Sequence, residues 1–386
     1  MTHSASMQTR QVKTRLKLSA KAIADFAENS RCPVACAAFS AQRNLDDLVS
    51  GTRFAPPFGQ SPAVFQRGKQ FESILAGSAG GDLTPTTPEA PTYAPLISLI
   101  RQFDADWPDN PALVTRSRLA GHWSHRAKQT RAAFEDFVRD SSKRFTIDGA
   151  VFEKQIGGQT RYFEADLLFF GFRRTLSDAP SIVIGEAKSF PVVSGQADPS
   201  NIAAARSQMA IYALLSRDLL RSVGGDETSV ADHGLLFTPL NTGLRPTATW
   251  LHMALEGERV QRIFSRAEQL LDAAPSAEVI AMFDRAAEAQ PEEREPSLET
   301  LVTTLTNRYR PSCLASCALG RFCRHRARIA GDFESVNRAM ARTLPGCATI
   351  DHAAQYVDGP DALGFDPFAE TRAVFERMQA LDGVLP

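Results

Sequence analysis

The chain has 386 residues, 43 lysines and arginines against 44 aspartates and glutamates, and a formal net charge of −1. That length admits two or three domains, or one core with large insertions, and an apolar share of 43% can fill such a core. No apolar run approaches the ~20 residues of a membrane helix, and the basic start MTHSASMQTRQVKTRLKLSA lacks the continuous apolar stretch of a secretory signal, so a cytoplasmic protein without a membrane partner is expected.

In chain order, residues 17–29 (KLSAKAIADFAEN) predict a short helix capped by Ser19 that leads into Cys32. A second helix starts near Pro62, carries Phe65, Arg67, Gly68, Phe71, Glu72 and Leu75, and ends in the glycines between 77 and 81. The Pro/Thr-rich stretch 84–98 reads as a linker. Residues 112–140 read as an amphipathic helix with Trp123 and Phe134 as anchors. The pattern then turns to strands: 150–156, 162–172 and 181–188, separated by Gly157-Gly158 and by the turn 177–180. A strong helix over 201–221 ends at Gly224, two more strands follow at 233–239 and 247–255, and helical sequence runs from Gly257 to about 309 with breaks near Pro291 and Pro296. No internal repeat is visible.

In YFEADLLFFGF alternate side chains share a face, which groups Glu164, Asp166 and Leu168. In SIVIGEAKS, Glu186 and Lys188 share a side and Ala187 points away. Two neighbouring strands would then present Asp166, Glu186 and Lys188 to one point. Charged groups inside apolar strands cost several kcal/mol unless they are paired or bind a metal. A hard divalent cation suits such carboxylates, and it can polarise a phosphodiester and supply a hydroxide-like nucleophile. Gln208 and Tyr212, four apart on the next helix, lie on one helical face. The competing structural reading is a buried ion pair, Asp166–Lys188 or Glu164–Lys188, on an ordinary packed scaffold, with Glu164 the rival of Asp166.

The order Asp166, Glu186-x-Lys188, Gln208-x3-Tyr212 across strand, strand and helix resembles the PD-(D/E)XK nuclease superfamily, in its RecB-type branch. The resemblance implies an α/β fold with a small mixed central sheet flanked by helices. It implies Mg²⁺ or Mn²⁺ held by Asp166, Glu186 and the Ala187 carbonyl. Lys188 would activate water, and Gln208 and Tyr212 would position the strand. The segment Arg67 to Glu72 is similar to that branch's N-terminal helix and makes Glu72 a further ligand.

Six cysteines in so long a chain do not make a disulfide scaffold, and three between 313 and 323 point to metal ligation in a reducing compartment. Cys313-x3-Cys317-x5-Cys323 supplies three thiolates where zinc or an iron–sulfur cluster takes four ligands. Iron–sulfur nucleases of the AddB type, and the CRISPR-adaptation exonucleases, have one cysteine before the core and three after it. That likeness makes Cys32, in Arg31-Cys32-Pro33, the fourth ligand of a 4Fe-4S cluster, with Cys36 the alternate and Cys347 structural or free. The usual first gap there is two residues and here it is three, which keeps structural Zn²⁺ open. Arg321, Arg324, Arg326 and Arg328 beside the last cysteine, and Arg10, Lys13, Arg15, Lys17 and Lys21 at the start, read equally as solvated helix faces or phosphate contacts.

The resemblance covers about residues 17–80 and 146–325. It divides the chain into N-terminal helices with the first cluster cysteine and Glu72 (17–80), a linker and helical insertion (82–145), a nuclease core (146–256), a helical segment with the cysteine cluster forming a clasp (257–345), and a tail (346–386). The expected activity is metal-dependent hydrolysis of DNA, as an exonuclease on single-stranded ends. With no Walker A motif, any helicase would be a separate protein partner. The rival function is a catalytically silent scaffold that binds nucleic acid together with a partner. RNA as substrate also stays open.

Overall fold

A computed structural model describes residues 19–55, 62–77, 93–116, 122–174, 178–190, 192, 197–241, 243–273, 275–307, 309–311, 313–332 and 349. The basic residues Arg10 to Lys17, Cys347 and most of the tail fall outside them. Among the described residues no helix is long and apolar enough to cross a membrane. The described residues fall into two compact units, one within 16–27 and 58–274 and the other within 28–57 and 275–386.

The larger unit is an α/β assembly around one mixed six-stranded sheet in the order β1-β2-β3-β4-β5-β6. The strands are β1 (Val114–Arg116), β2 (Phe145–Ile156), β3 (Gln159–Phe172), β4 (Ser181–Ala187), β5 (Val230–Pro239) and β6 (Pro246–His252). Pairings β1–β2 and β4–β5 are parallel and the others antiparallel. The parallel step from β4 to β5 needs a crossover, supplied by α7 (Pro199–Ser222). Gly224, at φ +81°, follows that helix and gives its end the left-handed turn that favours glycine.

Helices cover both faces of the sheet. On one, Phe71 of α4 (Pro62–Leu75) and Leu96 and Ile97 of α5 (Ala94–Ile100) join Trp107, Leu167, Phe169, Val183, Leu235 and Phe237 in a core. On the other, α6 (Trp123–Arg139) sets Phe134 edge-on against Phe152 and Phe170. There α7 approaches so closely that a Cβ on Gly234 would stand 2.2 Å from Met209 Cε and 2.8 Å from the Ile184 carbonyl oxygen. Glycine at 234 therefore leaves room for Met209 of α7 against β5.

The smaller unit is helical among its described residues. Its helices are α2 (Pro33–Ser40), α3 (Leu45–Val49), α9 (Ala277–Glu288), α10 (Pro291–Thr304), α11 (Cys313–Ser316) and α12 (Gly320–Ile329). They share a core that includes Val34, Leu48, Phe283, Leu298, Leu301 and Phe322. Two helices remain: α1 (Ala20–Asn29), which crosses the division between units, and α8 (Ala254–Asp272) in the larger one.

Ser19 caps α1 as expected, its Oγ accepting from Ala22 N at 3.1 Å. Several expectations need correction. Residues 94–98 are not linker: they form α5, entered from Tyr93 in a left-handed conformation (φ 52°) with a proline in the first turn. The helix expected from 112 starts only at Trp123, because a 3₁₀ turn and the β-branched pair Val114-Thr115 of β1 come first. The sixth strand stops at His252, where its pairing with β5 runs out at His233, and α8 begins at Ala254, so Gly257 lies inside a helix. Pro291 opens α10, whereas Pro296 sits within it rather than breaking it.

Candidate functional site

In the antiparallel pairing of β3 with β4, Leu167 lies across from Gly185, and one further step sets Asp166 across from Glu186. The Ala187 backbone N–H donates to Asp166 Oδ2 at 2.9 Å, which ties the two strands at that point. Beyond the end of β4, Lys188 N donates to the Phe237 carbonyl of β5 at 2.9 Å, so the chain still lies against the sheet as it leaves the strand.

Glu186 is 2% exposed. Lys188 Nζ lies 2.5 Å from its Oε1, while its Oε2 is buried without a hydrogen-bond partner. Burial, and then the negative charge of Asp166, push its pKa up to about 8, against the pull of Lys188; Glu72 adds to the rise. Lys188, its side chain 29% exposed, feels the converse balance. Burial works against its ammonium, but Glu186, Asp166 and Glu72 outweigh that and hold its pKa above the ordinary lysine value.

The helix α7 delivers the next two residues. Gln208 Oε1 accepts from Lys188 Nζ at 2.8 Å, so the lysine is shared between a carboxylate and an amide. Tyr212, one turn on and buried, has its pKa driven well up by burial and then by the charges of Glu186, Asp166 and Glu164, which keeps the phenol protonated. Helix α4 brings Glu72 near enough for its charge to act on both Glu186 and Lys188. That helix is clamped by Arg67, which donates to the carbonyls of Ser189 at 3.2 Å and Gly243 at 3.1 Å.

A cavity of about 220 Å³ lies beside these groups, lined by Lys69, Glu72, Tyr93, Asp148, Asp166 and Ala187 among others. Asp148 and Tyr93 are residues that sequence reasoning missed. The Tyr93 hydroxyl donates to Asp148 Oδ2 at 3.0 Å. Asp148 carried the same signal as Asp166, a carboxylate in an apolar strand (FTIDGAVF), but no motif partner drew attention to it. Glu164, the rival of Asp166, is engaged by Arg126 at 2.7 Å.

The structure thus brings Glu72, Asp166, Glu186, Ala187, Lys188, Gln208 and Tyr212 into one neighbourhood of the larger unit. Among the described residues no group of three or more His, Cys, Asp or Glu is arranged to hold a metal ion. The donor set nonetheless suits a divalent cation: two carboxylates face each other across a strand pair, and one keeps a buried oxygen with no protein donor.

The four expected cluster cysteines gather in the smaller unit. Burial first, and then charge on the others, raises the pKa of Cys313, Cys317 and Cys323, that of Cys323 to about 12. Cys32 is among the groups acting on each of the three. It sits at the N-cap of α2 with no side-chain capping bond, whereas Cys36 Sγ is committed to the Ser30 carbonyl at 3.2 Å. Asn29 Nδ2 donates to Ser316 O and Ser316 Oγ, both at 3.0 Å, and so fastens the start of this unit to the cysteine loop. Gly320 lets the loop fold over itself, since a Cβ there would stand 2.5 Å from the Cys313 carbonyl oxygen.

Of the arginines beside these cysteines, Arg326 is held by Glu299 at 2.8 Å, and Arg321, Arg324 and Arg328 are exposed. At the other end Lys21 pairs with Asp25 at 2.5 Å on an exposed helix face. The chain matches no protein-family model, no curated protein and no solved structure.

Proposed function

We propose that this chain is a metal-dependent nuclease of the PD-(D/E)XK kind that hydrolyses DNA, with single-stranded ends as substrate. One observation carries the reading: a fully buried glutamate, bonded on one oxygen to a lysine and bare on the other, faces a second carboxylate across a strand pair. Lys188 offsets only part of this charge: burial and Asp166 still push the carboxyl's pKa up to about 8, a cost that a cation between the two carboxylates would relieve.

Asp166, Glu186 and the Ala187 carbonyl, with Glu72 from α4, would hold Mg²⁺ or Mn²⁺, which when bound supplies charge neutralisation at the phosphate and an acidified water. The residues themselves do the rest. Lys188 keeps its proton and presents a partly exposed ammonium at the edge of the carboxylate pair, where it can orient the attacking water and offset charge on the phosphate. Gln208 fixes that ammonium from the helix side. Tyr212 stays a neutral phenol beside three carboxylates, able to donate a hydrogen bond but not to remove a proton. In the other unit, Cys32, Cys313, Cys317 and Cys323 would hold a 4Fe-4S cluster, or Zn²⁺ in its place. The cation would take up the protons' role on thiols that burial keeps neutral. Visible absorbance with stoichiometric iron supports the cluster, and a colourless protein with stoichiometric zinc overturns it.

The deciding experiment compares wild type with Asp166→Asn and Lys188→Ala on labelled single- and double-stranded DNA in Mg²⁺, Mn²⁺ or EDTA. Metal-dependent cutting that both variants lose supports the reading, and a ladder from one end identifies end trimming. No cutting by a folded, metal-loaded protein, with binding retained, replaces it by a nucleic-acid-binding scaffold. Cutting of RNA in preference to DNA corrects the substrate.

A further inference from the structure

Resting on the nuclease reading above, we propose that Trp123 and Tyr162 form a ledge on which bases of the single-stranded DNA substrate stack as its backbone runs to the carboxylates. Trp123 opens α6 and is 40% exposed, and its ring stacks on Tyr162 with centroids 6.5 Å apart and planes at 26°. The pair is held from beneath. The guanidinium of buried Arg126 lies 5.1 Å from the Trp123 ring centroid and donates to Gly149 O and Glu164 Oε1, both at 2.7 Å. Tyr162 stands opposite Glu153 in the pairing of β2 with β3.

Position connects the ledge to the site. Tyr162, Glu164 and Asp166 follow one another along β3, and four residues of strand span about 13 Å. Glu164 stands between, bound to Arg126 on one side and close enough to raise the pKa of Tyr212 on the other. A strand whose phosphate sits at Asp166 therefore reaches the ledge within a few nucleotides. Exposed His125 and Lys128 follow in the first two turns of α6, and no acidic residue occupies its first turn, which suits a polyanion. Every base offers a π-face, so such a ledge binds single strands without reading sequence, while a duplex keeps its bases stacked inside.

The test titrates the full chain into a labelled oligo(dT) in EDTA, where no cleavage occurs, and follows anisotropy for wild type, Trp123→Phe and Trp123→Ala. The alanine variant should bind roughly 5- to 150-fold more weakly, the effect of losing one stacked base, and the phenylalanine variant should recover most of the affinity. Because the alanine variant also loses the ring contacts with Tyr162 and Arg126, its thermal midpoint should fall slightly, and binding is read at a temperature where circular dichroism shows both variants folded. An affinity unchanged in Trp123→Ala overturns the ledge and leaves the nuclease reading standing. A wild-type protein that binds no oligonucleotide overturns both.

Discussion

Replacing Glu186 with glutamine tests the electrostatic core of the site without any substrate. In the folded protein this carboxyl titrates near pH 8, against 4.5 ordinarily. A folded pKa above the unfolded one means that the protonated form is favoured by folding. The associated stability is fully present below about pH 4.5 and is lost as pH rises through 8. At about 1.4 kcal/mol per unit, the whole shift corresponds to about 5 kcal/mol of folding free energy. Lys188 stays charged in both states throughout that range and does not alter the sign. Denaturant unfolding in EDTA at a series of pH values from 5 to 8.5 reads the effect, and tryptophan fluorescence reports it for the right unit, since all three tryptophans lie in the larger one. Wild type should lose several kcal/mol relative to Glu186→Gln between the ends of that range. Mn²⁺ should restore stability to wild type at pH 8 more than at pH 5.5, and should do little for the glutamine variant. Parallel pH dependences in the two proteins would refute the buried, proton-holding carboxylate and with it the main support for a metal there.

Three further substitutions probe what surrounds that carboxylate and the cysteines. Gln208→Leu removes the acceptor of a charged lysine and should lower kcat/KM on DNA by about 10- to 150-fold, for a bond of about 1.5–3 kcal/mol; an unchanged value would show that Lys188 needs no such orientation. Gly234→Ala drives a methyl into Met209 and the Ile184 carbonyl and should destabilise the larger unit by about 1–3 kcal/mol. Met209→Ala in the same chain should relieve part of that loss in a double-mutant cycle, and strict additivity would count against the close approach of α7. Gly320→Ala should destabilise the cysteine loop by about 1–3 kcal/mol and reduce bound iron or zinc per chain, whereas full occupancy would show that the loop can shift to make room.

The parts of the fold that were legible in sequence are those set by local pattern. The three central strands, the long helix α7 with Gly224 beyond it, and the Ser19 cap all follow from periodicity and turn chemistry within one segment. The errors lie where a distant partner decides. Val114–Arg116 is a strand only because β2 lies beside it. Residues 94–98 become helix because Leu96 and Ile97 have Phe169 and Val183 to bury against, which outweighs the Pro/Thr composition of the stretch before them. Pro296 is the sixth residue of α10, and the one bond that its missing N–H forgoes is outweighed by the burial of Leu298 and Leu301 from the same helix.

The site divides in the same way. Glu186, Lys188, Gln208 and Tyr212 were legible because each pair lies on one element at a spacing that fixes its geometry, two in a strand and four in a helix. Asp166 needed one further step, the register with β4, which the apolar flanks of both strands dictate. Asp148 with Tyr93, and the helical pair Trp123 and Arg126 with Tyr162 and Glu164 of β3, join across elements that no sequence spacing relates. They meet only once β2, β3 and α6 are assembled. The cysteines are an intermediate case: three announce themselves by proximity in sequence, while Cys32 stands roughly 280 residues away, a distance at which closure entropy grows only logarithmically. A cation joining Cys32 to Cys313 would restrict an unfolded loop of that size at little more cost than a short one. The Asn29–Ser316 bonds and the shared apolar core already bring the two segments together in the fold. A metal centre at these thiols would therefore add its stability to two chain segments that Arg43 and Asp284, paired at 2.7 Å, also tie together.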